Sequence, residues 1–301
     1  DKGLDAGGLG AQAYAEAVGV YLALGVDRLI DRCSTICGWD AGYAKIRNTF
    51  GRQALSMTWD FCEGNPFSES TGNFTDALAW ISKILSACLS SINGHVDQYD
   101  AQHQQISFRK IVSTDPPYYD NIGYADVSDF FYVWLRKSLK SIFPSLFSTL
   151  AVPKAEELVA TPYRHGGKEA AKAFFLDGMG KALKNLTSQV HPAFPVSIYY
   201  AFKQAETRTD NEISNTGWMT FLDAVLRSGF SLTGTWPMRT ELSNRMISSG
   251  TNALASSIVL VCRKRDPNAP TISRREFTRE LNTVLPEALL DMTRGGVNSP
   301  V

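Results

Sequence analysis

The sequence predicts an α/β chain: a helical region over residues 1–93, a doubly wound sheet domain over 94–291, and a linker at 292–301. Three observations carry this. Before Gly94 the apolar residues recur at helical spacing; beyond it, short β-like runs alternate with helical ones, the pattern of a mostly parallel sheet with helices on both faces. The third is the string Asp115-Pro116-Pro117-Tyr118, directly after a β-like run, where prolines that cannot donate to a ladder must end the strand.

Taken in order, residues 11–31 and 44–62 carry helical spacing, and the second run stops at Gly64-Asn65-Pro66. Asn73 can cap a further helix reaching about Ser90, with Phe74, Leu78, Ile81 and Leu85 along one face. The first ninety residues therefore read as almost wholly helical. After Gly94 come the β-like runs HVDQY and FRKIVST, then a helix over about 127–142 that Asp126 can cap. A looser stretch at 144–167 precedes a helix over about 168–190. PVSIYYAF, FSLTGTW and SSIVLVCRK read as strands and WMTFLDAVLRS as a helix. Nothing helical separates the last two strands, so their polar connection lets them pair antiparallel at a sheet edge.

Composition excludes several classes. Thirty basic residues balance thirty acidic ones, so no global field draws the chain to nucleic acid or acidic lipid, and any nucleic-acid contact needs a local basic face. The longest apolar run, at 17–26, is too short to span a bilayer. Five cysteines without a C-x-x-C pair argue against a disulfide framework or a metal site; Cys33 and Cys37 read as buried small hydrophobes or as two thiols meeting on one helical face. Asp1 in place of methionine and the GGVNSPV ending are what a segment of a longer protein would show.

The chemistry lies at 115–118. Ligands of open α/β sheets sit outside the carboxyl ends of strands, and this string lies where a strand over 110–114 would end. A carboxylate accepts two hydrogen bonds, a prolyl carbonyl keeps a free lone pair, and a tyrosine offers a flat face. Asp115 and the Pro116 carbonyl could each accept one hydrogen of an adenine or cytosine amine and stabilise its developing positive charge, with Tyr118 stacked on the ring. The competing account makes Asp115 a cap and Tyr118 a core residue. Tyr119 could be a second aromatic wall or ordinary packing.

The DPPY tetrapeptide resembles the hallmark of DNA amino-methyltransferases. The run DPPYYDNIGYADVSDFFYVWLRKSL, with KAEELVATPYRHGGKEAA, YYAFKQ, TGTWPMRTELSNRM and GTNALASSIVLVCR, looks like a large prokaryotic adenine-specific DNA methylase family. Its members are long, often bear a zinc ribbon, and occur with restriction or phage-defence genes; the similarity spans approximately residues 9–291. The resemblance implies a Rossmann-like S-adenosylmethionine-dependent methyltransferase sheet, S-adenosylmethionine as methyl donor, an extruded adenine as target, DNA and possible defence-system proteins as partners, and a cytoplasmic protein without a membrane. It carries the catalytic role onto Asp115, Pro116, Pro117 and Tyr118, and makes Asp100, in HVDQYDA, a candidate for the cofactor's adenine, although Asp100 could equally start a turn.

Substrate contacts are expected from Tyr119, from Arg164, His165 and Lys168 in the TPYRHGGKEAAK segment, and from Arg239, Asn244, Arg245 and Asn252 in the connection between the last strands. Arg136, Lys137 and Lys140, on the helix after the motif, could contact phosphates too, although solvated helix faces also carry such charges. Phe130 and Trp134 read as core. The family pattern fails in one place: a glycine-rich turn should follow the first strand, but DAGGLGAQ at 5–12 has no strand before it and EGNPFSESTGN at 63–73 lies between helices. That implies the catalytic half without the main cofactor-binding half. The alternative is a non-catalytic module that keeps the fold and lacks a cofactor pocket.

Overall fold

The computed structural model describes residues 1–51, 54–55, 57–70, 72–88, 94–119, 122–201, 216–239 and 256–294. The chain is mixed α/β and divides into two compact units, Asp1–Gln98 with Asp120–Arg164, and Tyr99–Tyr119 with His165–Val301.

The first unit is built on helices α1 (Ala11–Ile30), α2 (Phe74–Ala87) and α3 (Tyr124–Leu139). Ala23 of α1, Leu139 and Phe147 form its buried cluster, with Val20, Tyr132, Leu135, Ile142 and Phe143 packed around them. Small residues let the helices approach: a Cβ at Gly25 would sit 2.7 Å from Leu78 Cδ2 of α2. The expected Asn73 cap forms, its side chain accepting the Asp76 N–H at 2.7 Å. Leu78, Ile81 and Leu85, expected on one face of α2, line an open groove of about 540 Å³ against Val18, Tyr21 and Leu22.

Two expectations for this unit fail. The described part of 44–62 holds no helix; β1 (Trp39–Asp40) and β2 (Lys45–Ile46) form a short antiparallel hairpin there, followed by irregular chain. Asp40 Oδ1 turns the hairpin by accepting the Gly42 and Tyr43 N–H groups, and Ala44 at φ +49° starts the 44–62 stretch outside helical backbone. HVDQY is likewise not a strand: Val96 is 95% exposed and residues 94–100 are irregular.

The second unit carries a four-stranded sheet of β3 (Ser113–Thr114), β4 (Val196–Ala201), β5 (Phe230–Arg239) and β6 (Ser256–Lys264), in the order β3-β4-β6-β5. The sheet is mixed, not mostly parallel: β3 pairs parallel with β4, and β6 runs antiparallel to both β4 and β5. The expected antiparallel pairing of the last two strands is present, with a register shift between Leu232 and Gly234. Val196, Ile198 and Tyr200 alternate into the core, as period-2 spacing requires. Helix α5 (Lys168–Gln189) buries Phe175, Met179, Leu183 and Leu186, and α6 (Thr216–Arg227) buries Phe221 and Val225. A four-residue turn of helix, α4 (Pro162–His165), precedes α5, and α7 (Arg274–Arg294) follows the sheet. No helix among the described residues is long and apolar enough to cross a membrane.

Candidate functional site

The strand that leads into 115–118 is short, and its approach is held by side chains rather than by a ladder. Asn185 and Gln189 of α5 donate their amides to the Gln104 carbonyl at 2.9 and 2.6 Å, and the Arg109 N–H donates to the Gln189 carbonyl at 2.8 Å. Arg109 takes φ +54°, a left-handed kink that ends any longer strand through FRKIVST. Only Ser113 and Thr114 then pair with β4, opposite Ser197 and Ile198.

At the carboxyl end of β3 the chain places Asp115 exposed, with Pro116, Pro117, Tyr118 and Tyr119 half-buried behind it. The two prolines fix their own φ and bring residues i and i+3 together. Across them the Tyr118 hydroxyl donates to Asp115 Oδ1 at 2.8 Å. The Tyr118 ring meets Tyr200 of β4 edge-on at 5.3 Å, and Tyr200, 2% exposed, stacks on Phe221 at 4.2 Å. Tyr119 meets the buried Phe175 edge-on at 5.2 Å. The Pro116 carbonyl accepts no hydrogen bond among the described residues. The arrangement presents the Asp115 carboxylate to solvent beside aromatic rings anchored in the core, a surface suited to a flat group bearing N–H donors.

Asp100 is occupied locally. Its carboxylate accepts the Gln102 N–H at 2.9 Å and bonds His103 Nδ1 at 2.8 Å; these bonds, the Gln102 one foremost, hold it below the usual carboxylate range. That is a turn built on an aspartate. Residues 1–10 contain no strand ahead of their glycines, and among the described residues no glycine-rich turn follows a strand.

The basic segment is bound up in the fold. Arg164, its side chain 11% exposed, donates to Glu157 at 2.6 Å and to Asp126, and the Glu157 carboxylate also accepts the Ala125 N–H at the start of α3. Tyr163 donates its hydroxyl to Asp126 as well. Hydrogen bonding from Tyr163, then from Arg164, holds Asp126 below its ordinary pKa. Burial works against the Arg164 charge, but the bonds to Glu157 and Asp126 outweigh it and raise its pKa. Asp126 was expected as the cap of α3; Gly123 holds that position and Asp126 lies in the first turn, turned to Tyr163 and Arg164. Gly166 and Gly167 then take φ +75° and +138°, a turn open to glycine alone, and deliver the exposed Lys168 to the start of α5. His165 stacks on Phe174 at 4.1 Å, and its buried Nε2 has no hydrogen-bond partner among the described residues.

Asp115, Pro116, Pro117, Tyr118 and Tyr119 thus share one site, while Asp100 and Arg164 are committed to partners of their own. Arg239 ends β5, and Asn244, Arg245 and Asn252 lie outside the described residues. Sequence reading missed Tyr200 and Phe221, which back the site; the alternation in PVSIYYAF marks Tyr200 as buried, but its neighbours come from other elements. No family model matches the chain, and neither a curated protein nor a solved structure matches it.

Proposed function

We propose that the chain is the catalytic region of a DNA amino-methyltransferase acting on the N6 amine of an adenine extruded from the duplex. The observation that carries this reading is the placement of Asp115-Pro116-Pro117-Tyr118 at the carboxyl end of a parallel strand, with its carboxylate exposed and its tyrosine seated on core aromatics. The sheet order supports it too. A last strand reversed between two others is how the Rossmann-like methyltransferase sheet ends.

In this reading Asp115 and the Pro116 carbonyl each accept one amine hydrogen. They draw the nitrogen out of conjugation with the ring and stabilise the positive charge that grows on it, while Tyr118 holds the base in line. The methyl donor such chemistry takes is S-adenosylmethionine. This chain's own residues bind and orient the amine. Lys168, His165 and the 239–252 connection are the proposed DNA contacts, and restriction or defence proteins the proposed partners.

The test is calorimetric titration of the chain with adenosine and with N6,N6-dimethyladenosine, which keeps the ring and lacks both N–H donors. Tighter binding of adenosine is expected; equal affinity would end the assignment. A second reading, a nucleic-acid or protein-binding module without catalysis, is favoured by the turn-bound Asp100 and the lack of a glycine cradle among the described residues. Mass spectrometry of DNA from cells with and without the gene separates the two, since only the enzyme leaves N6-methyladenine.

A further inference from the structure

We propose that the Tyr118 hydroxyl is a positioning group for the Asp115 carboxylate, so that the tetrapeptide works as one preset acceptor with a single carboxylate oxygen turned to the incoming amine. This rests on the amine-binding reading above and assigns the hydroxyl a task apart from stacking. Asp115 is exposed, and an exposed aspartate would ordinarily exchange among its staggered rotamers. Here Oδ1 is taken by the Tyr118 hydroxyl at 2.8 Å. A bond from a phenol to an ionised carboxylate is among the stronger hydrogen bonds of proteins.

The donor is itself held in place. Two consecutive prolines set the backbone between residues 115 and 118, and the Tyr118 ring rests edge-on against Tyr200, which is 2% exposed and stacked on the fully buried Phe221. The order of support therefore runs from the core outward: Phe221, Tyr200, Tyr118, Asp115. A carboxylate has lone pairs to spare after accepting one hydrogen. With Oδ1 filled, Oδ2 and the Pro116 carbonyl remain as the acceptors for the two hydrogens of one NH₂ group. A ligand bearing only acceptors at that position would meet lone pairs on both sides, so the same bond makes the site selective for donors.

Replacing Tyr118 by Phe tests this, because it keeps the ring and removes only the hydroxyl. The whole chain is labelled with ¹³C at aspartate carboxyl carbons, the Asp115 signal assigned from Asp115→Asn, and the wild type and Tyr118→Phe titrated with adenosine and N6,N6-dimethyladenosine. The Asp115 signal is expected to move in Tyr118→Phe, and adenosine to bind about tenfold more weakly, the scale of one charge-assisted hydrogen bond. Affinity for the dimethyl analogue, which relies on the ring alone, should stay as in the wild type. An Asp115 signal that does not move, or adenosine affinity equal in both proteins, overturns the positioning role while leaving the amine site intact. Wild type that fails to prefer adenosine overturns both readings, and the Asp115 signal then still reports whether the bond itself exists. Tyr118→Ala, which removes the ring as well, should weaken both ligands.

Discussion

In the proposed reading Asp115 is the residue that receives the amine, and its exposure makes its removal informative, since its side chain lies outside the core. Asp115→Ala is expected to weaken adenosine binding by about tenfold with circular dichroism unchanged, the scale of one charge-assisted hydrogen bond. Asp27 behaves in the opposite way. It sits on α1 with Oδ1 buried and unpartnered, and burial raises its pKa from 3.8 to about 6. Between those values the folded chain binds the extra proton, so this group costs stability as pH rises through that window and continues to cost it above. Asp27→Asn should therefore raise the urea midpoint at pH 7 by about 1–2 kcal/mol equivalent and leave it unchanged at pH 3.5. Arg109 holds a left-handed backbone with its side chain exposed. Arg109→Gly should stabilise by about 0.5–1 kcal/mol in the same measurement, the relieved strain exceeding the entropy that glycine adds to the unfolded chain. At this scale the sequence was a good guide where chemistry is local, as at Asp115 and Asn73. It was a poor one where the deciding partner is distant, as for Arg164, whose carboxylates no spacing rule connects to it.

Among the elements, the ties around Arg164 hold the start of α3 to the segment at 157–164. Arg164→Ala would leave Glu157, 15% exposed, and Asp126 without their shared cation, and is expected to destabilise by about 2–4 kcal/mol. Arg164→Lys should recover only part of this, because an ammonium cannot fork between two carboxylates as a guanidinium does. The lowered pKa of Asp126 gives the loss a pH signature. Its contribution is complete above the ordinary carboxylate range and fades as pH falls below it, so the gap between wild type and Arg164→Ala should narrow in acid. Helices α1, α2, α3, α5 and α6 and strands β4 to β6 were legible from local sequence. The helix expected over 44–62 does not form: Ala44 takes a positive φ at its start and β2 pairs Lys45 and Ile46 back to β1. β3 was overread for a related reason. FRKIVST has the composition of a strand, but the left-handed Arg109, whose N–H donates to the Gln189 carbonyl, fixes its first half in another shape.

For the molecule as a whole, the expected α/β class holds and the expected parallel sheet does not, since the only parallel pair among the described residues is β3 with β4. A site for a cofactor's phosphate-free nucleoside and methionine parts needs backbone approach that glycine permits, and the described residues offer none after a strand. S-adenosylmethionine is accordingly expected to leave the melting temperature of this chain unchanged in a thermal shift assay. A ligand at a hundred times its Kd would add about 2.7 kcal/mol and move the midpoint by several degrees, so the two outcomes are well separated.

The strand that carries the tetrapeptide has two residues in register, and its partner β4 lies far along the chain, beyond a stretch that belongs to the other unit. Closing so wide a loop is entropically costly, and so short a ladder returns little for it. Amide protons at 112–114 should then trade with deuterium well before those of β6, which is flanked on both sides. In the proposed reading, the aromatic heterocycle enters at the seam of the sheet that this exchange order would mark as the first to open.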